Sequence, residues 1–483
     1  MQRAATQRIL GMLLMVFSMT MLPPIIISVV VKDGIVMPFF YSMISIAGAG
    51  LLLWAPVRNF RKELRLRDGF MVVVMVWVVL GASGSLPFLL AHTPHMTLVD
   101  AMFEAFSGLT TTGATVLTGI DDLPRSILYY RQQLQWLGGM GIIVLAVAIM
   151  PMLGVGGMQL YRAETPGPMK DAKMMPRVAE TAKALWMIYM SLTVASFLGY
   201  WAAGMSAFDA LAHSFSTIAI GGFSTHDASI GYFNSPMVDL VAIIFMTLAG
   251  INFALHFVAW RSFSLRAYIN DPEVRAYITI LILSSLIVVA LLLQGQVYTD
   301  PGNALLHGVF QTVSIGTTTG FTTVSYQGWP MMLPVMLLFI SFIGACANST
   351  GGGMKVIRFL LLLRQGMREL KLLVHPSASI PVKIGKKVMS EKVINAVWGF
   401  FAAYVALFVV MMLILMATGM DQITAFSAIA ATMNNLGPGL GDVAANYSSV
   451  NGIAKWLLIF AMLLGRLEIF TLLVLFTPAF WRR

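Results

Sequence analysis

Four short stretches offer the same chemistry: Thr110-Thr111-Thr112-Gly113, Ile220-Gly221-Gly222-Phe223, Thr317-Thr318-Thr319-Gly320 and Asn435-Leu436-Gly437-Pro438. None carries a carboxylate; each offers backbone carbonyls, and the first and third add threonine hydroxyls. A ring of neutral oxygens is what strips water from a small monovalent cation, whereas carboxylates hold divalent ions more strongly. One glycine per stretch (Gly113, Gly222, Gly320 and Gly437) gives the backbone the freedom to turn successive carbonyls toward one axis. The candidate ion ligands are therefore Thr111, Thr112, Gly113, Ile220, Gly221, Gly222, Thr318, Thr319, Gly320, Asn435, Leu436 and Gly437. For Gly221 and Gly439 a simple tight turn is the competing reading.

Each stretch follows a short amphipathic segment with an acid or amide near its start, Asp100, Asp209, Asn303 or Asp421. Thr97 with Asp100, Ser206 with Asp209 and Asp300 with Asn303 have helix-cap spacing, and Asp421 is the cap expected in the fourth. Helices entering from outside would aim their partly negative C-terminal ends at the centre, which favours a cation. Long apolar runs flank every such unit. The repeated plan is span, re-entrant helix, extended loop, span, and a loop at membrane depth requires protein or a water-filled pore around it.

Composition supports this plan. Of 483 residues, 58% are hydrophobic and 11% charged, with a mean hydropathy of +0.82; soluble domains carry about 25% charged residues. The fold class expected is an all-α polytopic membrane protein of about ten spans, each long enough to cross a bilayer. They fall near 10–31, 36–56, 70–91, 132–158, 184–204, 237–260, 276–295, 331–365, 395–419 and 453–481. The units are two N-terminal helices (1–69) and four parallel pseudo-symmetric pore repeats (70–160, 184–260, 276–370 with a broken helix, and 393–483). The N-terminal apolar run is too long for a signal core and lacks a small-x-small cleavage site, so it reads as a retained helix. No stretch is long and polar enough for a soluble domain, so a regulatory domain would be a separate polypeptide. Cys346 alone cannot form an intrachain disulfide.

The net charge of +10 sits in loops between spans, which points to topology and away from nucleic acid. Arg58, Arg61, Lys62, Arg65 and Arg67, then Arg162, Lys170, Lys173, Arg177 and Lys183, then Arg261, Arg266 and Arg275, then Arg364, Arg368, Lys371, Lys383, Lys386, Lys387 and Lys392, and finally Arg482 and Arg483 all fall on one side. That side is expected to be cytoplasmic, with both termini. The opposite side carries Asp121, Asp122, Asp227, Asp300 and Asp442 and little base beyond Lys32, Arg125, Arg131 and Lys455. Its acidity would concentrate cations at the mouth.

Two further features bear on permeation. Asn348, Ser349, Thr350, Gly351, Gly352, Gly353 and Lys355 lie in the middle of a span. Glycine costs about 1 kcal/mol per helical position relative to alanine, so the run should unwind and form a gate beneath the filter. A phosphate loop would need a Gly-Lys-Ser/Thr order, which is absent. Arg466, with Glu468 two residues on, is an ionisable group within the last span. It fits either a fixed positive charge in the pore or an ion pair with an acid on a neighbouring helix. Lys455, nearer the span end, reads as a snorkelling side chain.

Together these features resemble the Trk/Ktr/HKT superfamily of potassium transporters, closest to its bacterial Trk branch. The likeness is carried by Ser107-Gly-Leu-Thr-Thr-Thr-Gly-Ala114, His213-Ser-Phe-Ser-Thr-Ile-Ala-Ile-Gly-Gly-Phe-Ser-Thr-His226, Thr317-Thr-Thr-Gly-Phe-Thr-Thr323, Ser349-Thr-Gly-Gly-Gly-Met-Lys355, Asn434-Asn-Leu-Gly-Pro-Gly-Leu-Gly441 and Gly465-Arg-Leu-Glu-Ile-Phe470. It extends over essentially the whole chain, and the two extra N-terminal helices favour the Trk branch. The resemblance implies potassium uptake across the bacterial inner membrane through a gated, channel-like pore, with a cation-coupled secondary transporter as the alternative. It implies no enzyme activity, no cofactor in this chain beyond K+ as the transported ion, a homodimer in membrane lipid, and a cytoplasmic nucleotide-binding TrkA-like ring. The filter glycines, the 348–355 gate and Arg466 as pore arginine carry over by position. Asn348 stands where a smaller residue, usually glycine, is expected, and would add a hydrogen bond to the closed loop. The degenerate second and fourth stretches imply modest selectivity.

Overall fold

The structure, a computed structural model, describes residues 3–60, 66–141, 178–330, 332–385 and 387–482. It is mostly helical. Ala4–Val31, Val36–Val57, Arg67–Leu90, Ala182–Ala202, Pro272–Gln294 and Glu391–Ala417 are each long and apolar enough to cross a membrane. A two-residue antiparallel ladder, Lys383–Ile384 with Lys387–Val388, departs from the all-α expectation; it closes a tight turn at Gly385, whose φ is +57°.

Two spans expected to be continuous, 237–260 and 453–481, are not. Pro236–Ala249 and Phe253–Ser262 meet at 96°, and Gly452–Arg466 meets Ile469–Phe476 at 114°. At the first bend Asn252 starts a new helix by accepting from the Ala254 amide (2.9 Å), and the Cys346 amide takes the Gly250 carbonyl (2.9 Å). At the second, Glu468 sits at φ +56° and its carboxylate holds Arg358 at 2.7 Å. The break expected within 331–365 is present, between the helices Met332–Ile343 and Val356–Val374. The span expected over 132–158 is described only through Arg125–Gly139; its remainder lies outside the described residues, as do Arg61, Lys62, Arg65, Arg162, Lys170, Lys173, Arg177, Lys386 and Arg483.

Small residues set the close approaches. The helices Arg3–Met19 and Val36–Trp54 cross at Gly11 and Gly50, where a Cβ on either glycine would lie under 3 Å from the other's carbonyl oxygen. Four short helices occupy the centre: Leu98–Leu109, Ala207–Ala219, Pro301–Thr317 and Gln422–Met433. Each packs on a helix of a neighbouring unit, the first on the last in the chain. The first lies on Gly452–Arg466, the second on Arg125–Gly139, the third on Pro236–Ala249 and the fourth on Met332–Ile343. Their inner turns are buried in protein, which satisfies polar backbone inside a hydrocarbon-sized bundle.

Candidate functional site

The short helices start as their sequences require. Thr97 accepts from the Asp100 amide (3.3 Å) and Ser206 from that of Asp209 (3.1 Å), and each hydroxyl donates to the same aspartate's carboxylate (2.7 Å). Asp421 accepts from Ile423 and Thr424. Asp300 caps as expected but on Gly302, two residues on, rather than Asn303.

Their ends share one backbone design. Thr111, Ile220, Thr318 and Asn435 are left-handed (φ +55°, +54°, +70°, +53°), and two residues later so are Gly113, Gly222, Gly320 and Gly437 (φ +80°, +78°, +84°, +95°). Between them the Thr112, Gly221, Thr319 and Leu436 amides reach back to the Ser107, Ser216, Ser314 and Ala431 carbonyls at 2.7–2.8 Å. This is a Schellman-type helix end, with a residue other than glycine at the left-handed position. That position suits asparagine; for β-branched Thr111, Ile220 and Thr318 it is a true outlier, held by its surroundings.

The four segments close on one another. A Cβ on Gly113 would lie 2.1 Å from the Gly221 carbonyl oxygen, on Gly222 2.0 Å from that of Thr319, on Gly320 2.1 Å from that of Leu436, and on Gly437 2.6 Å from that of Thr112. Each glycine thus faces the residue before the next segment's glycine, and the fourth returns to the first. Asn435 adds a bond from Nδ2 to Thr112 Oγ1 (3.0 Å) across that last junction. Among the described residues, the carbonyls of 111–113, 220–222, 318–320 and 435–437 accept only two hydrogen bonds. Gly221 receives Gln135 Nε2 (2.6 Å) and Gly437 the Tyr447 hydroxyl (2.9 Å). Buried carbonyls are ordinarily paired, so an arc of unpaired oxygens at the centre of a bundle is the property a desolvated cation would use.

On one side of this ring lies the 344–355 segment, which touches the inner ends of the second, third and fourth short helices and reaches the first segment through Arg466. The Thr350 hydroxyl donates to Ile218 O (2.8 Å), the Gly352 amide to Thr318 Oγ1 (2.7 Å), and the Gly353 amide to Asn434 O (3.1 Å). Thr350 O accepts from Arg466 Nη1 (3.2 Å), which also reaches Thr111 Oγ1 (3.3 Å). Arg466 Nη2 donates to the Gly138 and Gly139 carbonyls, the latter at 2.9 Å. Ser349 turns onto Cys346 O (2.6 Å), and Lys355 Nζ folds back on Gly351 O. A Cβ on Gly351 would meet Ala345 Cβ at 2.5 Å, and one on Gly352 would meet Asn434 O at 1.9 Å. Asn348 takes φ +57°, and its bond to this neighbourhood runs through its carbonyl, which accepts from the Phe253 amide (3.0 Å).

On the other side is a cavity of about 510 Å³ lined by residues of all four segments, among them Gly113, Phe223, Gly320 and Gly437. In its wall His226 Nδ1 lies 2.5 Å from Asp121 and Nε2 3.5 Å from Asp209, with the ring stacked on Tyr232. Burial lowers the His226 pKa, but hydrogen bonds to Asp209 and Asp121 and their charges leave it raised. Asp121 is correspondingly lowered: its partial burial is outweighed by the bond to His226.

Three side-chain groups escaped the sequence reading. Arg131, taken there as an outer-side charge, is 1% exposed, pairs with Glu104 at 2.7 Å, and donates to Ser224 O and Thr115 Oγ1 behind the ring. Gln132 and Gln135 beside it are buried against the second segment. The run Arg131-Gln132-Gln133-Leu134-Gln135 within an otherwise apolar span was the available signal. Glu273 accepts the Ala347 (2.7 Å) and Ile357 (3.1 Å) amides, spanning the break in the helix. Lys455 is buried and pairs with Asp100 at 2.6 Å.

Long apolar helices packed around a central ring of backbone oxygens define a multi-pass membrane transport protein. A family model described as TrkH, cation transport protein, matches residues 36–483. The Trk system potassium uptake protein TrkH of Vibrio parahaemolyticus is 58% identical over 484 residues, covering 100% of both chains. TrkH of Escherichia coli K12 is 55% identical over 478 residues, 99% of each chain, and TrkG of the same organism 40% identical over 472 residues, 98% of this chain and 97% of its own. The crystal structure of the potassium transporter TrkH from Vibrio parahaemolyticus superposes with a TM-score of 0.91 at 55% identity, covering all of both chains. This chain belongs to the TrkH family of cation transport proteins.

Proposed function

We propose that this chain is the membrane subunit of a Trk-type potassium uptake system, carrying K+ across the bacterial inner membrane through a gated, channel-like pore. The observation that carries the reading is the cyclic closure of four left-handed segments whose buried carbonyls stay largely free of protein partners. Those carbonyls, with the threonine hydroxyls, act as the potassium filter, and 348–355 under them acts as the gate. Arg466 ties the gate to the first filter segment and sets a positive charge below it. Ten spans, two N-terminal and eight in four parallel pseudo-symmetric repeats, put both termini in the cytoplasm. The basic loops there dock a TrkA-like nucleotide-binding ring, and two chains form a homodimer.

The test is cation flux in proteoliposomes. The purified chain should pass K+ faster than Na+, and Gly113→Ser, which drives a side chain into the Gly221 carbonyl, should lower that discrimination. An unchanged K+/Na+ ratio in a folded, transporting variant would refute the filter, and obligatory exchange of a second solute would refute the channel-like pore.

A further inference from the structure

The four carbonyls that abut the ring glycines belong to Thr112, Gly221, Thr319 and Leu436. Three of them accept no hydrogen bond among the described residues, while Gly221 O is held by Gln135 Nε2 at 2.6 Å. The same carboxamide accepts the Phe223 amide through Oε1 at 3.1 Å. Gln135 therefore grips the backbone on both sides of Gly222, from the helix Arg125–Gly139 that closes the preceding unit.

The second segment needs such a grip. Segments one and three brace themselves, through Thr110 with Thr112 and Thr317 with Thr319, each hydroxyl pair at 2.7 Å. Asn435 braces the fourth through Met462 O and Thr112 Oγ1. Segment two has Gly221-Gly222 and no side chain to offer there, and paired glycines leave the backbone the most freedom. The space a side chain would occupy is taken by Gln135, whose Cδ lies 2.4 Å from where a Gly221 Cβ would be. Gly221 is thus clearance for a neighbouring side chain, not a turn.

We propose that Gln135 is a specificity-determining positioning residue: its carboxamide fixes the Gly221 carbonyl and so the width of the ion ring at its least constrained segment. The proposal rests on the filter reading above. With the clamp lost, the segment can contract around the smaller ion, and Na+ passes more readily.

The test measures K+ and Na+ flux in proteoliposomes for Gln135→Met, which keeps length and removes both contacts, beside Gly113→Ser as the filter control. Gln135→Met should transport K+ with its K+/Na+ ratio lowered about fivefold, the scale of one net hydrogen bond. If the ratio holds while Gly113→Ser collapses it, the filter stands and the role of Gln135 is overturned. If neither variant moves it, the filter reading fails and the proposal falls with it. Should Gln135→Met not fold, Gly221→Ala displaces the carboxamide with Gln135 retained, and the same ratio decides.

Discussion

Glu273 offers the sharpest test of how the 344–355 segment is held. One carboxylate oxygen accepts the amides of Ala347 and Ile357, so a single atom joins the two ends of the broken helix. Hydrogen bonds to a charged group contribute about 1.5–3 kcal/mol each. Burying the carboxylate, only 8% exposed as a residue, offsets much of that sum. A net of about 2 kcal/mol for the seated segment is a factor of about 30 in a two-state equilibrium. It reaches gating only to the extent that the displaced segment lacks these bonds. Glu273→Ala should therefore raise partner-free K+ flux by about 10- to 30-fold, while Glu273→Gln, which retains the acceptor oxygen, should stay near the parental rate. The assay is flux into proteoliposomes without any cytoplasmic ring, with K+/Na+ ratio as the control. An alanine variant that folds, inserts and shows parental basal flux, or a glutamine variant as leaky as the alanine, would refute the reasoning.

Gly352→Ala should also raise basal flux, because its Cβ would stand 1.9 Å from Asn434 O and push the segment off the fourth short helix; parental flux in a folded variant would show that the segment does not obstruct. His226 should make stability depend on pH. Its raised pKa contributes stability that is full below the ordinary histidine value of about 6.5 and lost as pH rises through the higher folded value. Melting midpoints of the purified protein should fall over that window and the fall should vanish in His226→Gln; an identical slope in the variant removes histidine as the cause. Neutralising Lys383 and Lys387 together with Lys386 should weaken co-purification with a TrkA-like ring, and the loss should be largest at low salt, where the parental charges are least screened; undiminished recovery would move the docking site elsewhere.

The ring was legible in the sequence because its glycines recur in register, and the helix starts because Thr97, Ser206, Asp300 and Asp421 are strong caps. The left-handed turns at Thr111, Ile220 and Thr318 were not, since local preference argues against β-branched residues there and only tertiary packing enforces them. The bends at 250–252 and 467–468 were hidden because the long runs around them stay apolar on average despite Asn252, Arg466 and Glu468: hydropathy reports how much surface tolerates lipid, not where a helix axis turns. The triple glycine exposed the third break because it is a gross loss of helix propensity. Gln135, Arg131 and Glu273 act through contacts with residues far off in the chain, and single-chain periodicity carries no record of those.

The last junction of the ring, from Asn435 to Thr112, joins residues 323 positions apart. A ring built from identical subunits can be assembled from finished parts. Here the circle waits on the end of one polypeptide. Without the fourth segment the other three would leave an open arc. The closed circle is therefore a property of the whole fold, set by a contact between distant parts of one chain.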